Sequence, residues 1–404
     1  MSKTKNSATM IIVAICLTSF MGDCINGWNP IIDNVANAFP DVSYTAILYV
    51  STLPNLTCVI IALIAGALVG KRLRYRTAII TGCLFILVSG VLPAFFHDSF
   101  AMILIMRGIF GLGLGLLLTL GGYVCELFEG KERQRALGLR TASLNTGSVV
   151  LLLLAGFLGD IYWPYASYSF LIAIIPLVAA IFFLKEPSDI KKAAVSESEA
   201  PAAAVSAEKG KLKITGTLVL SNVVIIVLTC VAYAVLLIVS TFMTENNLGT
   251  AADAGVLLAV YTGGGIAAGL IYEKVRIVFK SYFAAINIFI WAIGAALIYF
   301  SGNLIIANIG AFIAGCAWYG VLTIYTEKAP DTVNDATKSF AGTSIFISSY
   351  LGCFIGGYWT SLVTAVFGST VKGCFYGVFI VFTAAAVLSA ITTTAKSCLL
   401  IKLS

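Results

Sequence analysis

The sequence predicts an all-α membrane protein of twelve transmembrane helices arranged as two pseudo-symmetric six-helix bundles. Three observations lead there. The chain of 404 residues is 59% hydrophobic and 11% charged, too apolar to be buried in one water-soluble core. Apolar runs long enough to cross the hydrocarbon layer follow one another almost end to end. The second half also matches the first weakly at a nearly constant offset, pairing Glu126 with Glu327, Tyr123 with Tyr325 and Gly66 with Gly269.

The first six spans are expected near 9–29, 46–69, 77–96, 100–122, 141–159 and 166–184. The second six are expected near 215–243, 252–272, 281–300, 303–325, 340–363 and 373–394. The stretch from Met10 to Met21 has the look of a signal peptide, yet it runs on through Trp28 without a small-residue cleavage pattern, so it reads as the first membrane helix. Between the sixth and seventh spans, residues 186–213 are rich in Ala, Ser, Glu and Lys, the composition of a flexible linker or weak surface helix. The expected organisation is a first bundle over 1–185, a cytoplasmic linker over 186–213 and a second bundle over 214–404.

An even number of spans puts both termini on one side. Lys71, Arg72, Arg74 and Arg76, then Lys131, Arg133, Arg135 and Arg140, then Lys274, Arg276 and Lys280 occupy alternate loops, on the side of Lys3, Lys5 and Lys402. The opposite loops hold only Lys372, among acids such as Asp98, Asp160, Glu245 and Asp253. Basic loops stay in the cytoplasm, so a multi-pass protein of the cytoplasmic membrane with both termini inside is expected. The net charge of +6 is then topological and implies no nucleic-acid partner. The ten cysteines sit in or beside spans without CxxC spacing, as small apolar packing residues, with no structural disulfide expected. His97 has no Cys, Asp or Glu cluster around it; it is expected to be solvated, with no metal site and no cofactor.

The loop after the second span, Gly66-Ala-Leu-Val-Gly70-Lys71-Arg72-Leu73-Arg74-Tyr75-Arg76, resembles the signature of the major facilitator superfamily of transporters, bacterial type. Gly66, Lys71, Arg74 and Arg76 fit; the family's acid is replaced by Gly70 and its second glycine by Leu73. Arg107-Gly-Ile-Phe-Gly111-Leu-Gly113-Leu-Gly115 is similar to the family's arginine and glycine ladder, and the run from Glu126 to Gly138 to its cytoplasmic loop. Ala38-Phe-Pro-Asp-Val-Ser43 also reads like bacterial members, and together the matches span the chain. The antiporter run of the fifth span departs here, with Leu151 and Leu152 in place of its Gly-Pro pair. In the family that missing acid holds a helix terminus and the basic residues form a latch. The resemblance therefore implies gating roles for Gly66, Lys71, Arg74 and Arg76, with Glu126, Arg133 and Glu327 as gate or loop contacts.

A carboxylate in the hydrocarbon layer is costly, so Asp23, about halfway along the first span, is a functional candidate; a satisfied structural acid is the competing reading. Arg107 is the basic residue placed inside a span, at a depth of roughly 10 Å by helical rise, about level with Asp23. In the family the first and fourth helices of each half line the central cavity, which implies that Asp23 and Arg107 face one another as a proton-coupling pair. A permanent structural salt bridge is the alternative. Asn26 lies three residues past Asp23 on nearly the same face and offers a donor and an acceptor. By equivalence of the halves, the seventh and tenth spans bring Asn222, Tyr233, Trp318 and Tyr319. With Asn26 and Arg107 these are the candidate solute contacts, although rings of this kind also serve as packing or interfacial anchors.

The resemblance implies a monomeric secondary active transporter that moves a small organic solute by alternating access around a midplane site, with the proton as coupling ion and the lipid bilayer as solvent. A uniporter or exchanger without proton coupling, or a transporter-like receptor, are the alternatives. An enzyme would need a nucleophile with its base or a metal cluster, and no such constellation is visible.

Overall fold

The computed structural model describes residues 2–190, 214–334 and 338–403, so the expected linker lies outside the described residues from 191 onward. Regular structure among them is helical apart from an isolated bridge between Val69 and Leu73. Among the described residues eleven stretches are long and apolar enough to cross a membrane; one of them, Ala251–Tyr299, is two helices, Ala251–Phe279 and Phe283–Tyr299, which makes twelve spans there. Large apolar side chains such as Leu270, 82% exposed, and Phe182 line their outer surfaces, an arrangement stable only where the solvent is lipid.

Several helices run past the expected ends. The fifth span begins at Gly130 and the eighth continues to Phe279. Hydropathy marks the part of a helix inside hydrocarbon, whereas the helix itself persists through charged turns beyond it. The first span departs more sharply. Its helix stops at Ser19, residues 20–23 form turns, and Cys24–Ile31 is a 3-10 segment containing Pro30, followed by a short helix over Ile32–Ala38. The sixth span likewise opens as a 3-10 run, Trp163–Ala173, before Ile174–Phe183.

Contacts between residues divide the chain into two compact units, Met1–Trp28 with Leu53–Lys209 and Asn29–Thr52 with Gly210–Ser404. The chain passes from the second to the first within the second span, Tyr44–Leu68, next to Pro54.

In the first unit the third span, Tyr75–Val91, and the fourth, Phe100–Leu117 continued by Leu120–Leu127, meet backbone to backbone. A Cβ on Gly82 would lie 2.8 Å from Gly113 O, and one on Gly113 would lie 2.8 Å from Gly82 O. Gly111 packs on Pro54 of the second span in the same way, and Gly147 of the fifth span abuts the Phe20 carbonyl where the first helix ends. In the second unit the ninth span and the tenth, Leu304–Lys328, repeat the reciprocal contact: a Cβ on Gly294 or Gly310 would lie 2.7 Å from the other's carbonyl oxygen. Glycine is required at these four positions because lipid offers no hydrophobic drive for helices to associate, and close approach of backbones supplies it through dispersion. The seventh span, Gly216–Leu237, and the eleventh, Lys338–Phe367, meet at Gly352 and through a hydrogen bond from Ser348 to Asn222.

Candidate functional site

Asp23 stands in the turn that interrupts the first span, and Asn26 is one turn further on in the 3-10 segment; both are partly buried. Arg107, from the middle of the fourth span, is fully buried. Its Nη2 donates to the Ile25 carbonyl at 3.0 Å, in the 3-10 segment that follows the break in the first span. Its guanidinium lies 4.5 Å from the ring centre of Phe110 and 5.3 Å from that of Trp28. Stacking on aromatic faces suits a planar, weakly hydrated cation in an apolar setting. Asp23 of the expected pair stands in the turn two residues before Ile25, whose carbonyl Arg107 holds. The guanidinium thus meets the backbone of Ile25 and the ring of Trp28, just past Asp23.

Around this point the first unit is aromatic. Trp28, itself fully buried, meets Trp163 edge-on at 6.3 Å, and Phe110 meets Phe170 at 5.0 Å. His97, expected to be solvated, is partly buried instead: Nδ1 pairs with the Ala94 carbonyl at 3.1 Å, Nε2 with the Tyr162 hydroxyl at 3.1 Å, and the ring meets Trp163 edge-on.

In the second unit the four candidates separate. Asn222 is held in the packing of the seventh span on the eleventh: its Oδ1 accepts from Ser348 at 2.7 Å and its Nδ2 donates to Leu218 O at 2.8 Å. Tyr233 is buried, with its hydroxyl 3.4 Å from the Ser51 carbonyl. Trp318 is 8% exposed, and Tyr319 of the same helix packs its ring over Gly265. All four residues lie within one unit.

The candidate gate residues fall at the basic end of each unit. Gly66, Lys71, Arg74 and Glu126 are exposed, and the last three line a 410 Å³ cavity with Glu186. Arg76 donates from its Nη2 to Ile181 O at 2.6 Å. Arg133 bonds the carbonyls of Phe128 and Cys125 at 2.8 and 3.0 Å, a cation on the C-terminal end of the fourth span. Glu327 accepts from Tyr272 at 2.6 Å and pairs with Arg276.

Sequence reasoning missed Glu186. Assigned to a solvated linker, it is 7% exposed, and its two carboxylate oxygens accept from the backbone N–H groups of Tyr75 and Arg76, each at 3.0 Å. It caps the third span, whose Arg74 cap position offers no side-chain hydrogen bond of its own. With Gly70 in the place of an acid, a carboxylate from the end of the sixth span satisfies the helix terminus. The only sequence signal was an acid just past an apolar run.

Twelve apolar spans, like backbone contacts in the two units and the arginine with its glycine ladder agree with the family model for the Major Facilitator Superfamily, which matches residues 11–357. The chain belongs to the Major Facilitator Superfamily. It is similar to the probable 4-methylmuconolactone transporter of Cupriavidus pinatubonensis, at 25% identity over 306 residues covering 71% of this chain and 69% of that protein. In fold it is similar to a bacterial homologue of the human lysosomal transporter Spinster in an inward-facing, unoccupied conformation. The TM-score there is 0.73 at 13% identity, covering 96% of this chain and 97% of that one. It is also similar to a peptide transporter in complex with sulfate, with TM-score 0.72 at 13% identity over 96% and 94% of the two chains. The protein is thus a multi-pass membrane transporter of this superfamily.

Proposed function

We propose that the protein is a secondary active transporter of the cytoplasmic membrane that moves a small organic solute by alternating access, coupled to protons. The observation that carries the coupling is Asp23: a carboxylate at a break in an otherwise apolar span, where freed backbone groups and a nearby cationic Arg107 make a polar locality within the hydrocarbon layer. Broken spans are where transporters of known architecture bind ions and solutes, because backbone groups there are free to coordinate. Asp23 serves as the proton carrier and Arg107 as the charge that its protonation state senses. Asn26 is a solute contact, and both termini with the basic loops are cytoplasmic.

Proton flux in proteoliposomes with a lumenal pH dye, using a panel of organic acids, sugars and amphipathic cations, tests this. A solute-dependent pH change in the wild type that is absent in Asp23→Asn is the expected result. Movement of labelled solute with a silent dye in both proteins would instead make it a uniporter or an exchanger.

A further inference from the structure

The loop that joins the second and third spans is fixed by its own backbone. Leu68 O accepts from the amides of Lys71, Arg72 and Leu73 at 3.2, 2.9 and 3.1 Å, and the Gly70 amide donates to Leu73 O at 2.8 Å. Gly70 takes a positive φ of 81°, and a side chain there would meet the Tyr75 ring. This tight turn leaves Lys71, Arg72 and Arg74 exposed together along one wall of the 410 Å³ cavity. Glu126, Glu186 and Ser188 contribute to its lining, and its volume is in the range that holds a small ligand. Glu186 commits both oxygens to the amides of Tyr75 and Arg76, and among the described residues no ion pair joins Lys71, Arg72 or Arg74 to a carboxylate. The second unit differs: Arg276, which the repeat offset sets against Arg74, pairs with Glu327. Exposed apolar side chains lead up to the cavity, Ile64 and Leu68 on the last turns of the second span and Phe182 and Phe183 at the end of the sixth.

We infer that this cavity binds the headgroup of an anionic phospholipid, with the phosphodiester against Lys71, Arg72 and Arg74 and the acyl chains along Ile64, Leu68, Phe182 and Phe183. Guanidinium forks match phosphate oxygens, and lysine adds a point charge beside them. Cations at the membrane surface attract anionic headgroups, and a basic pocket at the end of membrane helices localises that attraction. The Glu126 carboxylate in the same lining accepts from headgroup hydroxyls, so a phosphoglycerol head suits the cavity better than a bare phosphate. The apolar approach selects a lipid over a soluble phosphate ester, because chains in contact with Phe182 and Leu68 stay out of water. Neither Asp23 nor Arg107 lines the cavity, so the inference stands apart from the identity of the transported solute.

The test measures lipid binding to the full-length protein, delipidated in detergent, by native mass spectrometry and by the shift in melting temperature. The probes are phosphatidylglycerol, phosphatidylethanolamine with the same acyl chains, and glycerol 3-phosphate. Phosphatidylglycerol is expected to bind and to raise the melting temperature, and the zwitterionic lipid and the chain-free phosphate to bind about tenfold more weakly or worse. Arg72→Gln with Arg74→Gln is expected to weaken phosphatidylglycerol binding about tenfold. Lys131→Gln with Arg135→Gln removes two exposed charges from another basic loop, outside the cavity lining, and should leave binding unchanged. If the first double variant does not fold, salt titration of the wild type reads the same contact, since binding should fall as ionic strength rises. Four results would each overturn the inference. Equal losses in the two double variants would mean diffuse surface charge, and phosphatidylethanolamine bound as well as phosphatidylglycerol would mean that the cavity does not read headgroup charge. Glycerol 3-phosphate bound as well as the lipid would make this a soluble-phosphate site, and binding indifferent to salt would exclude the cations as its basis.

Discussion

Glu186 and Glu245 show how single carboxylates act at the ends of spans. Glu186 satisfies two backbone N–H groups at the start of the third span from a nearly buried position. Glu186→Ala should therefore cost about 1–3 kcal/mol, read as a lower melting temperature, and Glu186→Gln about half of that because its amide offers one acceptor oxygen. Glu245, at the end of the short helix Val239–Glu245, is held above the ordinary glutamate range, chiefly by burial and further by the negative charge of Asp33. The folded protein holds that proton more tightly than the unfolded chain. Its contribution to stability is complete below the ordinary glutamate pKa and is lost as pH rises through the raised value. Glu245→Gln should thus melt with the wild type at about pH 4 and above it at about pH 7, in a pH-resolved unfolding series. Neither behaviour could be read from the sequence, because both depend on which distant group the folded chain brings near: residues 75 and 76 for Glu186, and Asp33 for Glu245.

At the scale of elements, the glycine ladder of the fourth span was legible as a pattern, but its partners were not. Gly113 meets Gly82 and Gly111 meets Pro54, whereas Gly66 of the signature loop has open space where a side chain would stand. Gly82→Ala places a methyl group 2.8 Å from the Gly113 carbonyl oxygen and should cost roughly 1–3 kcal/mol in a thermal melt. Gly263→Ala, with nothing near its added methyl, should be neutral or slightly stabilising. The first span shows the converse limit. Its apolar run reads as one helix because hydropathy is blind to backbone geometry, and the turns at 20–23 begin where Gly147 leaves no room for a side chain against the Phe20 carbonyl. The 3-10 segment after the break holds the Ile25 carbonyl to which Arg107 donates. Asp23 and Arg107 were legible as polar groups in apolar spans, whereas the bend that sets Asp23 in a turn is not encoded in residue spacing.

For the molecule as a whole, span number and fold class followed from hydropathy and from the tandem match, since both reflect a requirement that holds along the entire chain: every crossing must be apolar outside and satisfied inside. The repeat is visible again in the matching contacts Gly82 with Gly113 and Gly294 with Gly310. What lay hidden is how many contacts the chain makes around Lys185. Composition places the edge of the first half at Lys185, yet Tyr123 donates to the Lys185 carbonyl at 2.8 Å, Arg76 reaches back to Ile181, and Glu186 seals the third span. Anyone severing the chain to express the halves as two polypeptides should cut beyond Ile190. A cut directly after Lys185 would hand the cap of the third span to the other fragment, and the first fragment would carry two uncapped amides in its place.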